Sequence, residues 1–207
     1  MKTIAISFLG TQLDDRGKGN KRWDRWRPTL SLCQHEDLVI DRLELLFQPR
    51  YQALADELTR DINRTSPETV VIHNHINLID PWDFESVYAE LLDFALDYTF
   101  NTEKEQYLIH ITTGTHVAQI CLYLLTEAHY LSGRLIQSAP PQKGETVLGH
   151  YQIIDLDLSK YDQIASRFSI ERKEGTHYLK GGIETKNKQF NRLIEQLEGS
   201  GLNLCLA

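Results

Sequence analysis

Two short stretches hold the residue types that bind phosphate and sugar groups: Gly10-Thr11-Gln12, and Thr112-Thr113-Gly114-Thr115-His116. Each follows an apolar run that reads as a buried strand, "TIAISFLG" for the first and "QYLIHI" for the second. Gly114 lets a ligand approach the backbone and the Thr hydroxyls offer hydrogen bonds. The second stretch also opens the apolar helix "THVAQICLYLLTEAHYL", whose first free amides attract anions. The plainer reading is structural, with Thr115 capping that helix and Gly114 making the turn.

A third feature follows the first strand. Six of the twelve residues from Arg16 to Arg27 are Lys or Arg, and Trp23 and Trp26 lie among them, in a chain of formal net charge -7. Indoles stack on bases and basic side chains contact phosphates, so Lys18, Arg22, Trp23, Arg25, Trp26 and Arg27 are candidates for a lid over a nucleotide ligand, with Gly17 and Gly19 letting it move. The alternative is that the two Trp residues bury one side of a short helix while the cations pair with acidic neighbours such as Asp24.

Other constellations are weaker. Gln12 stands where a phosphate-binding P-loop needs its first Gly, and Gly19 where it needs Ser or Thr. No G-x-G-x-x-G follows the first strand, and Ser7 and Ser138 lack a nucleophile elbow. His73 and His75 share one strand face but have no third ligand nearby in sequence. Cys33 and His35 lack an orienting partner for nucleophilic chemistry, and the carboxylate pairs Asp14/Asp15 and Asp155/Asp157 have no evident role. No metal or cofactor is expected.

The elements that must position these residues alternate. Strands are expected at 3–10, 39–47, 68–75, 106–111, 134–138 and 150–158, with helices over "YQALADELTRDINRT", "DPWDFESVYAELLDFALDY" and 116–131. Asp80 and Pro81 suit the start of the second of these helices. Leu43, Leu45 and Phe47 alternate with Arg42, Glu44 and Leu46, which predicts a strand with one wetter face. The order predicts an α/β fold, a mostly parallel sheet with helices on both faces, and the last strand pairing antiparallel at an edge. Ligands of such sheets bind beyond the strands' carboxyl ends, where both Thr/Gly stretches lie. Ser159 is expected to cap a further helix, Gly181-Gly182 to form a hinge, and Phe190, Leu193, Ile194 and Leu197 to form a short helical stripe.

At 207 residues, 41% hydrophobic and 25% charged, the chain has the composition of a globular domain with a full core. No apolar run approaches the roughly 20 residues that cross a bilayer, and no signal peptide is evident. Three scattered cysteines suggest reduced thiols in a cytoplasmic protein. The negative charge argues against a protein coated with nucleic acid. It leaves room for a local basic site, because salt confines charge effects to about 8–10 Å.

The motifs "FLGTQLD", "WRPT", "SLCQHEDL", "DRLELL", "DPWDFE", "HITTGTHVAQIC" and "IIDLDLS" resemble the N-terminal regulatory region of the RtcR family, activators of bacterial RNA repair operons. The resemblance covers residues 1–198. It implies a Rossmann-like CARF sensor domain over 1–180, of a kind that dimerises and binds nucleotides with a linear or cyclic phosphate. Residues 181–207 would be a linker and the start of a truncated AAA+ ATPase of the sigma-54 activator class, because "FNRLIEQLE" resembles that module's opening helix. The implied ligand is an RNA or oligonucleotide with a terminal 2′,3′-cyclic phosphate, held at Gly10-Thr11-Gln12 and Thr112 to His116. ATP, sigma-54 RNA polymerase and promoter DNA would be met only through domains outside this chain. The chain itself would be a sensor, not an enzyme. Two alternatives stay open: a ring nuclease or phosphodiesterase of the same fold, and an interaction module whose helix 116–131 packs against a twin subunit without a small ligand.

Overall fold

The computed structural model describes residues 1–155. The expected helix capped by Ser159, the Gly181-Gly182 hinge, the stripe at 190–197, Asp157 and the domain boundary at 180 lie outside them. Among the described residues six strands form one sheet: β1 (Lys2–Phe8), β2 (Arg42–Phe47), β3 (Val70–His75), β4 (Glu105–His110), β5 (Arg134–Ala139) and β6 (His150–Ile154). Their order is β3-β2-β1-β4-β5-β6. All neighbours are parallel except β5 and β6, so the antiparallel edge strand stands where the sequence put it.

Among the described residues four helices cover the sheet: α1 (Pro28–Leu32), α2 (Gln52–Thr65), α3 (Phe84–Asp97) and α4 (His116–Glu127). Alternation along β1 explains how both faces are filled. Ile4, Ile6 and Phe8 pack with Val87 and Leu91 of α3 and Leu122 and Leu125 of α4. Ala5 and Leu9 join the opposite layer with Leu30 and Leu32 of α1 and Leu58 and Ile62 of α2. A parallel sheet covered on both faces has no wet side. The expected wetter face of β2 is therefore absent, and five of its six residues are buried. Glu44 is tolerated there because Arg42 Nε, Tyr98 Oη and Asn74 Nδ2 each donate to its carboxylate at 2.8 Å.

Two local expectations are corrected. Asp83, not Asp80, caps α3: its carboxylate accepts the Ser86 N–H at 2.8 Å. Asp80 instead accepts from the Trp82 N–H in the turn before. The polar segment after β1 also contains a 3-10 turn at Gly19–Asp24 and the buried helix α1. The turn ends before Trp26, so Trp23 and Trp26 do not share a helix.

Candidate functional site

Chain reversal in the sheet falls between β1 and β4: the path leads from β1 outward to β2 and β3, then returns to β4 on the other side. A crevice opens at such a point, beyond the carboxyl ends of the strands. Here it is a cleft of about 570 Å³.

The end of β1 supplies its floor. Residues Gly10 to Asp14 form one closed turn, in which the Asp14 N–H bonds back to the Gly10 carbonyl at 2.7 Å. Thr11 and Gln12 are exposed at its crest. The N–H groups of Thr11, Gln12 and Leu13 have no hydrogen-bond partner among the described residues. Three successive free amides on one turn present a positive edge to an anion. Gly10 is required by close approach: a methyl group there would lie 2.7 Å from Asp14 Oδ2 and 3.1 Å from Thr113 Cγ2.

The end of β4 supplies the facing wall. Thr115 caps α4, its Oγ1 accepting the Ala118 N–H at 3.1 Å and donating to the Pro81 carbonyl at 2.8 Å. Gly114 adopts φ +88°, a left-handed conformation that a side chain would strain. Thr113 is buried and donates to the Phe8 carbonyl at 2.6 Å, which ties the two strand ends together. Thr112 Oγ1 receives the Ser138 N–H at 2.6 Å and links the loop to β5. The capping and turn-forming roles of Thr115 and Gly114 are thus real, and both residues also line the cleft.

Beneath this loop lies a buried hydroxyl–imidazole chain. His110 Nδ1 is 2.8 Å from Ser7 Oγ and its Nε2 is 2.9 Å from Ser138 Oγ. Burial pushes the imidazole down to about 3, so the ring is neutral. His110 and Ser7 are each 0% exposed, so they support the loop from within and do not meet a ligand.

Other walls of the cleft come from residues the strand-end reading passed over: Gln48, Arg50 and Tyr51 after β2, Trp82 before α3, and Gln119 on α4. Gln48 Nε2 donates to the Leu78 carbonyl, joining the ends of β2 and β3. The Arg50 guanidinium lies 4.9 Å from the centre of the Tyr51 ring and forms no ion pair among the described residues. Trp82 is 64% exposed. Among the described residues the cleft thus carries one arginine, one histidine (His116) and aromatic rings, and no carboxylate lines it.

The basic Trp segment does not line this cleft. Arg27 is fully buried: its Nε donates to the Asp14 carbonyl at 2.8 Å and its Nη1 pairs with Asp61 at 2.5 Å. Arg22 pairs with the same carboxylate through Nε at 2.8 Å and Nη2 at 2.9 Å. Burial alone would raise Asp61, but hydrogen bonds from Arg22 and Arg27 outweigh it and hold the carboxyl below its usual range. Guanidinium groups so engaged cannot close over a phosphate, which corrects the expected lid at Arg22 and Arg27. Trp23 is half-buried against the core, with Arg22 and Arg64 over its ring at 5.2 and 5.5 Å. Trp26 is half-buried too, and its buried Nε1 has no partner among the described residues. Lys18 and Arg25 remain exposed.

The other candidates resolve as structure. His73 Nε2 meets Thr59 Oγ1 and His75 Nε2 meets Gln52 Oε1, each at 2.8 Å. Among the described residues no group of three metal-ligating side chains gathers. Burial pushes the Cys33 thiol up to about 12, which removes it as a nucleophile.

The structure of Enterococcus italicus Csm6 bound to cyclic hexa-2′-fluoro-hexa-dAMP superposes with a TM-score of 0.57 at 14% identity, over 87% of this chain and 46% of that one. At that identity the match shows the fold, a Rossmann-like sheet of the CARF kind. The transcriptional regulatory protein RtcR of Escherichia coli (strain K12) is 60% identical over 199 residues, which is 95% of this chain and 37% of that protein. The chain therefore spans little more than a third of the length of that relative. The family described as RtcR, regulator of RNA terminal phosphate cyclase, matches residues 1–182. With most of its length matched to that family and 60% of the aligned residues shared with a curated member, the chain belongs to the RtcR family of transcriptional regulators.

Proposed function

We propose that this chain is the ligand-sensing region of a transcriptional activator of RNA repair genes, and that its cleft takes an RNA end bearing a 2′,3′-cyclic phosphate. The observation that carries the reading is the composition of the cleft: free amides at Thr11 to Leu13, the start of α4, Arg50 and His116 face it, and among the described residues no carboxylate does. Tyr51 and Trp82 add flat surfaces on which a base stacks. Family membership agrees, because the family's description ties its regulation to an enzyme named for RNA terminal phosphates. The Csm6 structure of the same fold holds a cyclic oligonucleotide, which supports an oligonucleotide as the broad class of ligand here, while the terminal phosphate is this proposal's own.

In this reading ligand binding releases a sigma-54-class ATPase that follows the sensor in the whole protein. Ile120, Tyr123 and Leu124 form an exposed apolar stripe on α4, the face by which two copies would pair. Lys18 and Arg25 would contact the RNA chain beyond its terminal phosphate.

Titration of the chain with a short RNA ending in a 2′,3′-cyclic phosphate, and with the same RNA ending in a 3′-hydroxyl, tests the reading. The cyclic end should bind more tightly, and Arg50→Ala should weaken it by about tenfold, as befits loss of one charge-assisted contact. Equal binding of both ends would remove end recognition. Conversion of the RNA during incubation would favour the phosphodiesterase alternative.

A further inference from the structure

Arg27, fully buried, and Arg22, half-buried beside it, are held by the same carboxylate, since burial of a guanidinium is costly unless it is paired. Their contacts lead, bond by bond, to the crest of the β1 turn. Asp61 on α2 receives both Arg22 and Arg27. Arg27 Nε then holds the backbone carbonyl of Asp14. The Asp14 side chain turns back under Gly10. Its Oδ2 accepts the Gly10 N–H at 2.8 Å and the Thr29 hydroxyl at 2.7 Å, and its Oδ1 accepts the Thr29 N–H at 3.1 Å.

This carboxylate fills the place where a side chain on residue 10 would sit. It also consumes the Gly10 N–H, so the free donors of the turn begin at Thr11, on the side that lines the cleft. A bend that only reversed the chain would not need a buried carboxylate with three donors and an arginine behind it. Moreover, Arg27 and Arg22 offset the charges of Asp14 and Asp61. The cluster therefore carries little net field against an anion in the cleft.

We infer that Asp14 is a positioning residue for the anion site, fixed by Thr29 and by the Arg22–Asp61–Arg27 anchor, and that it sets the Gly10 to Leu13 turn in its ligand-accepting shape. The inference rests on the proposed cleft function. It makes the basic stretch a brace behind the site.

Thr29→Val removes the hydroxyl donor at nearly constant volume, Thr29→Ser restores it, and Asp14→Asn leaves an amide nitrogen or a weaker acceptor opposite the Gly10 N–H. Two readouts on the full chain separate positioning from general stability. One is affinity for RNA with a 2′,3′-cyclic phosphate end. The other is the amide resonances of Gly10 to Leu13 in the unliganded protein, where the carboxylate bond should leave Gly10 far downfield. Thr29→Val and Asp14→Asn should each weaken binding about five- to tenfold, the effect of one lost ordinary hydrogen bond felt through the turn. Both should displace the Gly10 and Thr11 resonances, and Thr29→Ser should recover binding and resonances together. The inference is overturned if Thr29→Val and Asp14→Asn leave the resonances in place and the affinity unchanged, or if Thr29→Ser is as defective as Thr29→Val. If the parent chain binds no such RNA, the proposed function fails, and the amide resonances alone decide whether Asp14 sets the turn.

Discussion

Acid should destabilise this protein well above the carboxylate range, and His110 is the reason. Its ring is fully buried, and burial alone lowers its affinity for a proton from the ordinary 6.5 to about 3. The two serine hydroxyls that meet it can accept a bond from a charged ring but bring no negative charge to balance it. In the unfolded chain the imidazole titrates normally. As pH falls through 6.5 the unfolded state takes a proton that the folded state refuses, so stability is lost from there down to about 3. At pH 5 the loss is about 2 kcal/mol relative to pH 7.5, because 1.5 pH units below an unfolded pKa of 6.5 is worth about 1.4 kcal/mol per unit. The figure needs only a folded value below about 4. Urea unfolding between pH 7.5 and 5 reads it directly, as a midpoint lower by about 1 M for a slope near 2 kcal/mol/M. His110→Asn should be less stable at pH 7.5 but nearly flat over this interval. Neighbouring titrations do not imitate the effect. His35, also lowered by burial, is unchanged in the variant and cancels in the comparison. Asp61 and Glu105, held low by their arginines, lose stability only as pH falls through the carboxylate range. Asp14, raised by burial, has the opposite sign. If His110→Asn keeps the parent's pH dependence, the ring is not the buried neutral link described.

Two further outcomes follow from contacts at the cleft and on α4. Gly10→Ala sets a methyl 2.7 Å from Asp14 Oδ2, so it should cost about 1–3 kcal/mol in urea unfolding and abolish RNA binding, and unchanged stability would show that the turn has room after all. Leu124→Glu places a charge on the exposed stripe of α4, 37% exposed at that residue, and if two copies pair as proposed it should leave a monomer in analytical ultracentrifugation where the parent is a dimer, with the melting temperature within a few degrees. A dimer that survives it pairs through another face.

The parts of the site that could be read from sequence share one property: their signal is local. Apolar runs ending in Gly10 or leading into Thr112 to Gly114 announce a strand end and a turn together, and the sheet order then places both at one crevice. Arg50 and Tyr51 carry the same signal in "LLFQPRY", but it has meaning only once β2 is known to lie beside β1, which is a fact of strand order. Trp82 reaches the cleft from the connection after β3, and nothing near it in sequence points to a ligand. The wetter face expected of β2 failed for a related reason. Glu44 looks solvent-facing until Tyr98, 54 residues away, arrives to pair with it.

The basic stretch shows the limit most clearly. Spacing treats its six cations alike, yet the fold divides them by the reach of one carboxylate. Asp61 lies 34 residues from Arg27 and 39 from Arg22, and α2 brings it against both. Arg27 and Arg22 thereby become internal supports, while Arg16, Lys18, Lys21 and Arg25 stay in solvent. Charge density in a sequence measures how many cations are near one another, not how many are free to meet a ligand. In the proposed site the anion is met by the free amides of a turn and by Arg50 at the next strand end, and the two cations that looked closest to it are engaged with Asp61 and the Asp14 carbonyl.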